Sequence, residues 1–117
     1  MKIQKKSFNS VLLEGAHDGA GGRRLYVDQG EINNIDWQAM TYGYLPPKGV
    51  FDWHHHDDIE ETMLVIKGTG VVSDEDGNYE YSEGDLFIFP ANTKHKIENP
   101  SDQQHEYVFV RVATREL

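Results

Sequence analysis

The nine residues Trp53-His54-His55-His56-Asp57-Asp58-Ile59-Glu60-Glu61 gather three imidazoles and four carboxylates just before the apolar run 62–66. Imidazole nitrogen with carboxylate oxygen is a donor set for first-row divalent metals. In an extended chain side chains alternate faces, so His54 and His56 share one side while Trp53 and His55 take the other. The run Thr62 to Lys67, closed by Gly68, reads as the antiparallel return strand and sets Glu61 beside the two histidines. A fourth ligand has to come from elsewhere. The stretch from Gly84 to Asn99 offers His95, which follows a strand and a Pro90/Asn92 turn. The predicted metal ligands are therefore His54, His56, Glu61 and His95, for one divalent transition metal per chain: Mn, Fe, Ni or Zn.

These two segments resemble the paired motifs of the cupin superfamily, in particular its small single-domain conserved-barrel members. In the first, His54-x-His56 is followed by four residues, Glu61, six residues and Gly68; in the second, Gly84 is followed by five residues, Pro90, and then His95 and Asn99. Asn92 stands where the family has a second glycine, and asparagine is the next most tolerant residue of a left-handed backbone. Counting from Gly49 instead gives an alternative set of His55, Asp57 and Glu61. The spacing from Pro46-Pro47 and from Glu61 to Gly68 favours His54 and His56. The resemblance implies a double-stranded β-helix, or jelly-roll, barrel, with a ligand cavity at the metal and a homodimer as the assembly.

The rest of the chain has to position those residues, and its 117 positions suffice for one domain. A formal charge of −9 repels phosphate backbones and anionic membranes, so neither a nucleic-acid nor a membrane partner is expected. There is no cysteine to form a disulfide or ligate a metal, which suits a reducing compartment. No apolar segment has the length of a signal or a membrane span, and a cytoplasmic protein is expected.

Strand signals recur without a helical stripe, which makes the class all-β. Arg24–Val27, Trp37–Leu45, Leu86–Phe89 and His105–Val112 read as strands, and Val71–Tyr81 as a hairpin turning on a left-handed Asp76-Gly77. The expected organisation is an N-terminal arm over 1–36 packing on a barrel core over 37–113. Within the arm, His17-Asp18-Gly19-Ala20-Gly21 is too rich in glycine for a helix and lacks the context of a phosphate loop.

Strand parity puts Met63 on the side of Glu61, and Tyr42, Tyr44 and Arg111 are the polar candidates for orienting a small-molecule ligand in the cavity. The functions the resemblance implies are a small metal-dependent enzyme of isomerase or dioxygenase type acting on a polar metabolite, or a metal-dependent binding or sensing module without turnover. Tyr42, Tyr44 and His105 are the acid or base candidates whose positions discriminate between the two.

Overall fold

The computed structural model describes residues 2–114, and within them regular structure is almost entirely strand. The ten strands are β1 (Leu13–Ala16), β2 (Gly21–Val27), β3 (Trp37–Leu45), β4 (Val50–His54), β5 (Ile59–Lys67), β6 (Gly70–Asp74), β7 (Gly77–Tyr81), β8 (Leu86–Phe89), β9 (His95–Glu98) and β10 (His105–Ala113). They form a six-stranded sheet in the order β1-β2-β3-β10-β5-β8 and a four-stranded sheet in the order β4-β9-β6-β7, with every pairing antiparallel. Facing sheets with these crossed connections make the jelly-roll barrel that the motifs imply. No helix among the described residues is long and apolar enough to cross a membrane.

Alternation explains the core. Leu45 of β3, Met63 and Val65 of β5, and Tyr107 and Phe109 of β10 point inward, meeting Phe51, Val72, Tyr81 and Ile97 from the other sheet and Phe89 from β8. The arm does not stand apart. Through β2 it continues the large sheet, with Arg23 opposite Gly43 and Leu25 opposite Thr41.

Two local expectations are corrected. The strand that carries the histidines and the strand that carries Glu61 are not a hairpin: β4 pairs with β9, while β5 pairs with β10 and β8. The chain crosses from one sheet to the other through residues 55–58, where Asp58 takes φ +54. Both segments alternate in the same way whichever neighbour they have, so periodicity cannot separate these topologies. In the β6–β7 hairpin the two-residue loop is Glu75-Asp76, and neither Asp76 nor Gly77 is left-handed. The Asp74 carboxylate instead accepts from the amides of Asp76 and Gly77, both at 2.9 Å, and makes the turn by side-chain capping.

Asn92 does adopt the left-handed conformation, with φ +63, and its side chain bonds across to Asp58. In the Pro46-Pro47-Lys48-Gly49 turn the left-handed residue is Lys48, φ +61, and not the glycine beside it.

Candidate metal centre

His54, His56 and His95 converge, each offering a ring nitrogen within 4.8 Å of the others. His54 is the last residue of β4 and lies opposite His95, the first of β9. An irregularity after Phe51 interrupts strict alternation, so that Phe51 and His54 both turn inward while Asp52 and Trp53 face solvent. His56 enters from the crossing turn and not from a strand; its carbonyl is held by the Asn92 amide at 3.1 Å. His55 is exposed and pairs with Asp57 at 3.0 Å, outside the cluster. The His54/His56 register is the one that brings imidazoles together.

Two of the three rings are fixed in a metal-ready orientation. The Nδ1 of His54 donates to the Asp52 carbonyl at 2.6 Å, and that of His95 to the Thr93 carbonyl at 2.9 Å. A ring that gives its Nδ1 proton to a carbonyl presents Nε2 as a lone pair, the arrangement that orients ligating histidines. The Nε2 of His95 is buried with no hydrogen-bond partner. A buried polar atom without a partner costs about 1–3 kcal/mol, and a metal ion would satisfy it. The ring is clamped against Phe89, with centroids 4.1 Å apart and planes 18° from parallel. Desolvation pushes the pKa of His54 and His95 down, so both rings stay neutral, as ligands must be. The residues present fit a divalent cation.

Glu61 points into the same region from β5, buried, with one oxygen 3.7 Å from His56 Nε2 and the other 3.6 Å from Arg111 Nε. It borders the imidazole trio, which forms without it. Arg111 sits opposite Glu61 in the β10–β5 ladder and donates from Nη2 to His56 Nδ1 at 3.1 Å, so in this arrangement the His56 lone pair is taken at Nδ1 and the ring has to turn to offer one to an ion.

A cavity of about 310 Å³ opens in front of this group, lined by His17, Arg23, Thr41, His56, Glu61 and Arg111 among others. Of the residues predicted to contact a ligand, Arg111 lines it and three do not. Tyr42 and Tyr44 stand on the outer face of β3, because its inward positions are Thr41, Gly43 and Leu45. There Tyr42 donates to the Glu106 carboxylate at 2.9 Å, and the Tyr44 hydroxyl accepts from Arg24 at 3.1 Å. Met63 has the expected parity, but it lies one inward position farther along β5 than Glu61, fully buried in the core beside Phe109 and Phe87. His105 is also remote from the cavity. It is buried at the far end of β10, taking bonds with Tyr81 at 2.6 Å and Ser101 at 3.0 Å.

His17 is the site residue that sequence reasoning did not place. Its ring stacks on Phe51 at 4.3 Å and meets His54 edge-on at 4.8 Å. It does so from a backbone at φ +49, followed by Asp18 at φ +54 and Gly19 at φ +87. A left-handed non-glycine residue costs about 1–2 kcal/mol, and such strain concentrates at functional sites. Burial away from water and, after it, the adjacent His54 push its pKa down to about 4.

Comparison with known proteins accords with this geometry. The family model described as the Cupin domain matches residues 42–111, more than half of the sequence. The chain belongs to the cupin family. The structure superposes on a predicted oxalate decarboxylase from Thermotoga maritima with a TM-score of 0.84 at 18% identity, over 94% of this chain and 99% of that one. An uncharacterized protein of Methanocaldococcus jannaschii is 27% identical over 99 residues, 85% of this chain and 78% of that protein. The transcriptional activator RhaR of Pectobacterium carotovorum is 38% identical over 53 residues, 45% of this chain but 18% of the activator.

Proposed function

We propose that this chain is a small metal-dependent cupin enzyme, of isomerase or dioxygenase type, acting on a polar metabolite in the cavity. One divalent transition metal, Mn, Fe, Ni or Zn, would be held by His54, His56 and His95 with Glu61 as the oxygen donor. The observation that carries this reading is the convergence of three imidazoles on a point where His95 Nε2 is buried and unpartnered. When bound, such a metal supplies Lewis acidity toward a carbonyl or water, or redox chemistry if it is iron.

The chain's own residues contribute the rest. Arg111 steadies Glu61 and His56 and presents its guanidinium to the cavity. His17 is neutral near pH 7 and able to accept a hydrogen bond from a ligand lying between it and the trio. That polar group beside the metal ligands supports an enzyme over a purely apolar binding pocket. The cysteine-free composition supports the cytoplasm as its compartment.

Elemental analysis of untagged protein tests the reading. About one transition metal per chain, lost in both His54→Ala and His95→Ala, supports it; wild-type protein that neither carries nor takes up a metal overturns it. The likeness to part of a transcriptional activator supports a second reading, a metal-dependent small-molecule binding or sensing module without turnover. A loaded protein that binds a metabolite and returns it chemically unchanged would favour that one.

A homodimer is proposed through the outer face of the large sheet. Leu64 and Ile66 of β5 and Leu86 and Ile88 of the edge strand β8 are exposed there side by side. A patch of large apolar side chains on an unpaired edge invites a second copy.

A further inference from the structure

The family match begins at Tyr42, yet part of the cavity wall comes from before it. The hairpin formed by β1 and β2 contributes Gly15, Ala16, His17, Gly22 and Arg23. Arg23 therefore faces the same space as Arg111, the first from the arm and the second from the barrel.

The two guanidinium groups hold more donors than the protein uses. Arg23 gives its Nε to Glu14 at 2.9 Å, and among the described residues its terminal nitrogens have no partner. Arg111 gives one terminal nitrogen to His56, and its Nε is buried without an acceptor. An arginine carries five N–H donors in a planar fork, and that fork matches carboxylate and phosphate oxygens. The only carboxylate among the cavity-lining residues, Glu61, lies 3.7 Å from His56 and 3.6 Å from Arg111, beside the imidazole trio. Any neutral, apolar occupant would cover free donors without pairing them. The lining holds two guanidinium groups to one carboxylate inside a chain of net charge −9, with Glu14 pairing Arg23 from outside the lining.

We propose that the β1–β2 hairpin makes the cavity selective for a small oxyanion, a carboxylate or a phosphate monoester, gripped by Arg23 together with Arg111. The inference rests on the cavity being the ligand site of the proposed function and deepens that reading by naming the ligand's charge and the residue that selects it. At about 310 Å³ the space suits a metabolite of a few heavy atoms and not a polymer.

The test is isothermal titration of the metal-loaded chain with malonate and glycerol phosphate, and with their uncharged counterparts malonamide and glycerol. At least one anion is expected to bind, with its neutral counterpart at least about tenfold weaker. Arg23→Gln should weaken that anion by about ten- to a hundredfold, the loss of a charge-assisted bond. Arg23→Lys should recover part of the loss, and metal content should be unchanged in both. Arg23 is half-exposed, so neither variant threatens folding, and thermal melts confirm this.

Binding of neither anion, equal binding of a neutral counterpart, or anion affinity indifferent to Arg23→Gln would each overturn the inference. The same titration on chelator-treated protein separates the two readings. Arg23-dependent anion binding in a protein that takes up no metal leaves this inference standing and sinks the metal. Stoichiometric metal with anion binding that ignores Arg23 does the reverse.

Discussion

The two ends of the barrel both carry buried histidine, and they treat it in opposite ways. Six residue steps along β10 separate His105 at one end from Arg111 at the other, about 20 Å of strand. At the His105 end no buried side-chain polar atom among the described residues lacks a hydrogen-bond partner. The Tyr81 hydroxyl bonds His105 at 2.6 Å and Tyr107 at 2.7 Å, His105 Nε2 meets Ser101, and the Asn99 side-chain amide donates to the carbonyls of Leu45, Pro46 and Gln103. At the Arg111 end, His95 Nε2 and Arg111 Nε are buried without a hydrogen bond, although the Glu61 carboxylate lies 3.6 Å from the latter. Residue type does not distinguish a structural histidine from a ligand; what its second nitrogen meets does.

The largest expected effect is at the closed end. Gly68 has φ +113, and a Cβ there would fall 2.1 Å from the His105 ring. Gly68→Ala should cost more than about 3 kcal/mol or prevent folding, since overpacking and backbone strain act together. Chemical denaturation measures it, and a loss under about 1 kcal/mol would break the idea that this end is a rigid network.

Next comes His54→Ala at the open end. Metal affinity should fall at least about a hundredfold while metal-free stability changes by less than about 1 kcal/mol, because second-nitrogen satisfaction there is left to the ligand. Metal titration beside urea melts checks both halves, and equal damage to stability would erase the contrast between the ends.

A smaller effect is set by pH. Burial, with a contribution from Lys67, lowers the pKa of His105 below the ordinary 6.5, so between the two values the unfolded chain binds more protons than the folded one. Stability then rises with pH through that window and is lost as pH falls below about 6.5. Urea midpoints of metal-free protein should be lower at about pH 5.5 than at about pH 7.5. His54 and His95 push in the same direction. A flat profile would contradict neutral burial of these rings.

Smallest of all, Tyr44→Phe should shift stability by less than about 1 kcal/mol and leave metal and anion binding untouched, since its hydroxyl meets Arg24 on the outer face. A change in binding would mean that the two faces of β3 have been exchanged.

How far the sequence could be read follows from which distances it encodes. The spacing that brings His54, His56 and His95 together survives in the structure because the first two are near neighbours and the third heads the strand paired with β4. The left-handed Asn92 was legible for the same local reason. Tyr42 and Tyr44 were not, because a strand with residues of both faces able to pack gives no sign of which parity faces inward, and a one-residue choice exchanges the whole set. His17 lies 37 positions before His54 in a segment whose only local signal is a glycine-rich turn. Its place over Phe51 depends on how the hairpin folds back, and no short-range pattern records that.

The sheet order carries one more implication. In it β1 and β2 hang from the rest of the molecule by a single ladder, β2 against β3, while the three histidines belong wholly to the barrel. The proposed ion-holding part thus lies in the barrel and part of the wall in front of it in the hairpin, and the two meet where His17 stacks on Phe51 and touches His54. Exchange of residues 13–27 between barrels of this kind is a route to altering that wall, His17 and Arg23 included, while leaving the three histidines in place.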